Sequence, residues 1–398
     1  MMPKHAIGPL AGVRVIDITT MILGPVATML LADMGAEVIH IESPDGDPFR
    51  DVGDARSPRM SAAFLAVNRN KSSVVIDLKK PEGMGALLKL IETADVLVHN
   101  MRQAAADRLG LGYEAVAERK PDIIYAAGVG FGTEGPYCSK PAYDDIIQGL
   151  SGVAGLSSMS GDEPSYFPTV IADKLSGYAL ASAVAMALYR KATTGKGDKI
   201  EVPMFETMVH FNLLDHLGGG LFAPQTQRYG YTRMFSPYHR PVKTSDGYIC
   251  IVANTDKQWR AIFRLIGRQE LIDDGRFCTL KSRIENVVAL YRIVHEAMGN
   301  RTTNEWIGLL DAEGVPCGHV SGLAQLEEDP HLQAIGFFST MVHPTEGSLR
   351  VPGIPWKFAS GTGGIRSLGP RLGEDTADVL REIGYCDGEI ASISGRMP

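Results

Sequence analysis

The chain has 398 residues, 44% of them hydrophobic and 21% charged, and a net charge of -7. That length exceeds what one hydrophobic core usually serves, so two domains of an ordinary globular enzyme are expected. The negative balance argues against nucleic acid as a partner, because a protein that tracks phosphates needs a clustered basic surface. Cys138, Cys250, Cys278, Cys317 and Cys386 are scattered with no CxxC pair, which suggests neither a disulfide framework nor a zinc site and fits a reducing cytoplasm. The N-terminal MMPKHAIGPLAGVRVID has no apolar run of signal-peptide length, and no later stretch reads as the ~18 apolar residues of a membrane span. A cytoplasmic protein that meets no membrane is the expectation.

In chain order, residues 13–18 (VRVIDI) read as a buried strand, Gly24, Pro25 and Ala27 open a helix that runs to Met34, and residues 38–41 (VIHI) form the next strand. Strand, helix and strand within about 30 residues make a βαβ unit and imply a parallel sheet. Residues 43–60 are polar, with Pro, Gly and Asp, and read as a long surface loop. The pattern repeats at 73–78 (SVVIDL), 84–92 and 96–99 (VLVH), with a further strand at 123–126. The first half is therefore a doubly wound, Rossmann-like α/β domain. Ligands gather at the carboxyl ends of such strands, here Thr19 to Leu23, Glu42 and Ser43, Asn100 to Arg102, and Gly128 to Gly132. The chain leaves this domain near the glycine run Gly218, Gly219, Gly220. A strand at 248–253 and helices near 256–266, 287–298 and 303–313 follow, which read as a smaller α+β domain. Residues 327–357 are loop-rich, and 374–383 form a last amphipathic helix.

The stretch 167–206 places one carboxylate, Asp173, at the mouth of a helix rich in small residues. Leu175, Tyr178, Ala179, Met186 and Tyr189 fall on one face with Ser182 between them, and Gly195 and Gly197 follow a basic last turn. Asp173 is expected at or near the N-cap, where first-turn N–H groups and the helix dipole favour its ionised form. A carboxylate so held can attack a carbonyl; it can equally be an ordinary cap. Tyr143 and Asp144 start another helix, and Asp144 is either a second working carboxylate or a plain first-turn residue. Asn68, Arg69, Asn70 and Lys71 precede a strand, and Arg102 and Arg108 follow one. They suit an anionic cofactor such as a nucleotide phosphate, or are solvated surface charges. Gly130, Gly132 and Gly135 match GxGxxG, but Pro136 follows at once, so a nicotinamide-dependent dehydrogenase rests on that spacing alone. No GxxxxGK[ST], GxSxG or HExxH is present, which disfavours ATP hydrolysis and metal-dependent hydrolysis, and no metal is expected.

Together these stretches resemble the class III CoA-transferases of the CaiB/BaiF type, the family of formyl-CoA transferase and carnitine CoA-transferase. The likeness runs through LAGVRVIDIT, LADMGAEVIHIESPDGDPFR, NRNKSSVVIDLKKPEG, ADRLGLGYE, GFGTEGPY, TTGKGDKIEVPMFE, EDPHLQAIGFF and LGEDTADVLREIGY. The resemblance implies a large domain over 1–215 completed by 326–398, a small domain over 216–325, and an interlocked homodimer. It places Asp173 on the nucleophilic aspartate, Asp144 on an active-site acidic position, and Gly218 and Gly219 nearest to a glycine lid. It carries coenzyme A contacts over to Leu23, Lys71, Asn100, Met101, Arg108 and Tyr143. No tightly bound cofactor is implied: coenzyme A and acyl-CoA are substrates, and the partners are an acyl-CoA donor and a carboxylic acid acceptor. Ile22 stands where formyl-CoA transferase has a glutamine, which suggests a larger or less polar acyl group. The α-methylacyl-CoA racemases share the fold but pair the aspartate with a histidine, and the matching position here is Tyr143, whose phenol is a poor base. A non-catalytic acyl-CoA-binding protein is the other alternative.

Overall fold

The computed structural model describes residues 7–359, 361 and 363–395, so the first six residues of the polar N-terminal stretch lie outside the described residues. Strands β1 (Arg14–Asp17), β2 (Glu37–Glu42), β3 (Lys71–Val75), β4 (Val96–His99), β5 (Ile124–Val129) and β6 (Asp198–Pro203) form one sheet in the order β3-β2-β1-β4-β5-β6. Every pairing in it is parallel. In β1 to β5 the short runs of Val, Ile and Ala are buried on both faces, as a parallel sheet between helices requires, whereas the edge strand β6 buries only Val202.

The helices between them are α1 (Leu23–Asp33), α2 (Ala62–Val67), α3 (Pro81–Glu92), α4 (Gln103–Arg108), α5 (Tyr113–Arg119), α6 (Asp144–Leu150), α7 (Ile171–Thr194) and α8 (Met204–His216). One core lies under α1 and α7, around Leu23, Val26, Leu30, Leu180 and Val184, and another under α3, around Leu87, Leu90 and Ile91. Helix α7 comes close to α1 because Gly177 has no side chain: a Cβ there would lie 2.8 Å from the carbonyl oxygen of Leu23. With 24 residues and an 18-residue window of mean hydropathy 1.2, α7 is by length and composition long and apolar enough to cross a membrane, which the sequence reading did not count. In the fold it is a core helix, with Ala172, Ser176, Gly177, Leu180, Ala181, Val184 and Ala187 buried.

Two compact units divide the chain. The first runs to Val153, resumes over Tyr166–Phe211 and again from His331; the second takes Ala154–Ser165 and Asn212–Pro330. In the second, β7 (Val242–Lys243), β8 (Tyr248–Ile251) and β9 (Cys317–His319) make an antiparallel sheet. With it are α9 (Asp256–Leu265), α10 (Leu280–Glu285), α11 (Val287–Ala297) and α12 (Thr303–Ala312), whose core holds Trp259, Phe263, Phe277 and Trp306. The capping boxes Thr255 with Gln258 and Thr302 with Glu305 set the starts of α9 and α12.

After α13 (Pro330–Ala334), the hairpin β10 (Phe338–His343) and β11 (Gly347–Pro352) belongs to the first unit, as do α14 (Thr376–Glu382) and α15 (Asp387–Ser394). Val379, Leu380, Ile383, Ile390 and Ile393 join the α3 core. Strand β3 begins two residues earlier than its apolar run and is an edge strand. Its free side is satisfied by the approach to α14: Ser73 N donates to Asp375 Oδ2 (2.9 Å), Asp375 N to Ser73 O (3.0 Å), and Val75 N to Thr376 Oγ1 (3.0 Å).

Candidate active site

Helix α7 starts without a side-chain cap of its own, for its N-cap is Val170. The cap comes from α6. Asp144 Oδ1 accepts from Ala172 N (2.7 Å) and Asp173 N (3.1 Å), and its Oδ2 accepts from Gln148 Nε2 (2.6 Å). Gln148 is fixed in turn by Phe167 N, which donates to its Oε1 at 2.8 Å. Asp144 is thus buried and engaged at both oxygens.

Asp173 is the third residue of α7, not its cap, so its carboxyl is not spent on the helix that carries it. It is half-buried, and the backbone N–H of Leu23, first residue of α1, is close enough to favour its ionised form. Burial, with the Asp144 charge adding to it, pushes the Asp173 carboxyl up to about 6, against the opposing pull of the Leu23 N–H. This overturns the expectation that the N-terminal end of α7 holds Asp173 strongly ionised: withdrawal from water and a like charge outweigh the helix dipole. At pH 7 such a group is still mainly ionised, and it is more basic than an ordinary carboxylate.

The other expected site residues lie as follows. Asn100 bonds both ways with Thr20: its Oδ1 accepts from Thr20 N (3.1 Å) and its Nδ2 donates to Thr20 O (2.7 Å), which holds the turn between β1 and α1. Met101 is half-buried against the α3-side core, Arg108 is exposed at the end of α4, and Tyr143 is 71% exposed immediately before Asp144. Lys71 is turned into the protein, where its ammonium donates to Asp17 Oδ2 (3.1 Å), Pro25 O (3.0 Å) and Asn68 Oδ1 (2.8 Å). All three donors are occupied, which leaves none for a coenzyme phosphate in this arrangement. Its neighbours are engaged too. Arg69 pairs with Asp33 (2.7 Å) and donates to Pro352 O, and Asn70 donates to Asp33 Oδ1 and Gly364 O. The reading of residues 68–71 as solvated surface charges therefore gives way to an internal tether. Gly218 and Gly219 lie in the second unit, in a short 3-10 turn. Gly218 has φ 53°, and Gly219 is buried so closely against Gln227 that a Cβ would overlap it.

The GFGTEG loop holds no dinucleotide site. Gly132 N donates to Glu206 Oε1 and Thr133 N to Glu201 Oε1, both at 2.9 Å, so carboxylates occupy N–H groups a phosphate would need. Sequence reasoning missed a buried polar cluster at the carboxyl ends of β1 and β2. Asp17 accepts from Thr19, Thr28 and Lys71 and faces His40; burial works to raise its carboxyl, but Lys71 and His40 hold it far below the usual range. Glu42 pairs with Arg50 (2.7 Å) and accepts from Ser73 (2.6 Å), so that despite burial its carboxyl lies at about 2. The segment 43–60, read as surface loop, contributes the fully buried Arg50. Pairing is what lets these charges leave water.

A family model described as CoA-transferase family III matches residues 10–376. The chain is 31% identical over 380 residues to succinyl-CoA:glutarate CoA-transferase of Homo sapiens, covering 95% of this chain and 86% of that protein. It is 30% identical over 387 residues to succinate–glutarate CoA-transferase of Agrobacterium fabrum, covering 94% and 96%. Among solved structures, a CaiB/BaiF family protein from Brucella suis superimposes with a TM-score of 0.81 at 30% identity, covering 94% of this chain and 99% of that one.

Proposed function

The chain belongs to CoA-transferase family III, and on that premise we propose that it moves coenzyme A from an acyl-CoA donor to a free carboxylic acid through covalent intermediates on Asp173. The observation that carries this reading is the half-buried Asp173 carboxyl, left unspent because Asp144 caps α7 in its place.

In the proposed sequence, an Asp173 oxygen attacks the thioester carbonyl, the C–S bond breaks, and coenzyme A leaves as a thiolate. The product is a mixed anhydride between Asp173 and the donor acyl group. The thiolate then attacks the Asp173 carbonyl, releasing the donor acid as its carboxylate and leaving an aspartyl-CoA thioester. The acceptor carboxylate attacks this thioester, and the thiolate freed in that step takes the acceptor acyl group and restores the Asp173 carboxylate. No net proton moves, and the anhydride keeps the acyl group activated without ATP. Water must be kept out while the anhydride stands. Asp144 is a positioning residue here: it fixes the first turn of α7 and, by its charge, keeps Asp173 basic.

Relatives named for succinyl-CoA with glutarate or L-malate support short dicarboxylic acids as the first substrates to test. Ile22 favours an acceptor with an apolar stretch. The same reading takes the working enzyme as an interlocked homodimer in the cytoplasm, with the exposed Met186 and Tyr189 of α7 available for a partner's surface. Turnover in the presence of hydroxylamine, followed by peptide mass spectrometry, tests the chemistry: Asp173 is expected as its hydroxamate. Label at another residue, or an active Asp173→Ala enzyme, would sink the mechanism.

A further inference from the structure

The Leu23 N–H that faces Asp173 stands at the end of a turn, residues 18–22, held by side chains from three strand ends. Thr19 donates through N and Oγ1 to Asp17 Oδ1 (3.0 and 2.6 Å). Thr20 is bracketed by Asn100. Met21 N donates to both oxygens of Asp47, each at 3.2 Å. Met21 has φ 69°, a left-handed conformation that a residue with a side chain adopts only when its surroundings impose it. The turn has no slack, since a Cβ on Gly24 would overlap Thr19.

Asp47 is 1% exposed and is itself fixed. Its N donates to Glu42 Oε2 (2.9 Å), in the Arg50 pair, and its Oδ1 also accepts from Phe49 N (2.8 Å). The hydrogen bonds to this buried carboxylate come from backbone N–H groups, among them that of Met21, the left-handed residue two positions before Leu23. We propose that Asp47 is a positioning residue for the transfer reaction: by holding Met21 left-handed it sets the first turn of α1 and aims the Leu23 N–H at the Asp173 carboxyl. This rests on the reading of Asp173 as nucleophile. Without Asp47, Met21 relaxes to negative φ, the start of α1 moves, and Asp173 loses the donor that favours its ionised form.

The test compares wild type with Asp47→Ala, Asp47→Asn, Met21→Gly and Met21→Gly/Asp47→Ala, using succinyl-CoA and glutarate, with thermal melts to establish folding. A misplaced donor costs on the order of 100-fold in rate, so kcat of Asp47→Ala is expected to fall by about that factor with KM for the acyl-CoA little changed. The acidic limb of its pH profile should move to higher pH. Removal of a negative charge acting only through space would move that limb the other way. Asp47→Asn keeps an acceptor oxygen toward Met21 N and should recover most of the rate. Glycine accepts positive φ freely, so the double variant should regain much of what Asp47→Ala loses, which a general loss of packing would not allow. Unchanged kcat in Asp47→Ala, a limb moving to lower pH, or no rescue by glycine overturns the proposal. Hydroxylamine labelling of Asp173 at the wild-type rate in Asp47→Ala overturns it alone, whereas a wild-type Asp173 that is never labelled overturns the parent reading as well.

Discussion

Asp173 titrates near 6, inside the range where activity is assayed, so its environment is directly measurable. The proposed attack needs Asp173 ionised, and kcat/KM is expected to rise with pH along a limb centred near that value. Asp144→Asn removes the neighbouring negative charge while keeping an oxygen toward Ala172 N and Asp173 N, so the limb should move to lower pH; a pH–rate series on the variant checks it. The same shift sets a stability cost. Because the folded-state value lies above the unfolded carboxylate value of 3.8, the folded protein binds the proton more tightly, and stability falls as pH rises between about 4 and 6. Asp173→Asn, with no charge to bury, should gain on the order of 3 kcal/mol at pH 7 and almost nothing at pH 4, by urea denaturation at both values. The place of this acid in the first turn of a helix was legible in the sequence. Its acidity was not, because the cap that displaces it lies 29 residues upstream, on α6. The burial of Lys71 was illegible for the same kind of reason: its three partners, Asp17, Pro25 and Asn68, converge only through the fold.

At the scale of elements, the site depends on two helices whose starts meet, α1 with Leu23 and α7 with Asp173. Small residues in α7 predicted a close approach, and Gly177 makes it against the Leu23 carbonyl and Val26. A methyl group there must displace α1, so Gly177→Ala is expected to cost about 1–3 kcal/mol in urea unfolding and to lower kcat more than the acyl-CoA KM. Equal loss in both parameters, or a stability unchanged from wild type, would contradict this role. The strands were legible because both faces of a parallel sheet are dry and their sequences are runs of Val and Ile. The segment 43–60 was not, since Asp47 and Arg50 carry the composition of a surface loop while lying buried. Opposite charges spaced three to eight residues apart after a strand, as in Glu42, Asp47 and Arg50, were the available signal.

For the molecule as a whole, the first unit is assembled from three separated stretches, the last of which supplies α14 and α15. A chain ending at Arg371 leaves the free side of β3 without Asp375 and Thr376 and strips Val379, Leu380, Ile383, Ile390 and Ile393 from the α3 core. Such a truncation is expected to aggregate on expression, as size-exclusion chromatography would read; a monodisperse, cooperatively melting product would refute it. The periodicity of 374–383 gave the helix, but its seat on the sheet is a relation between residues 302 positions apart and is invisible to any local pattern.

That long-range seam bears on how the chain is made in the cell. Asp173 and the turn before α1 leave the ribosome well ahead of Asp375, yet until Asp375 follows, the sheet beneath them keeps an open flank. During translation the support under the proposed site stays unfinished until the segment carrying Asp375 has been made.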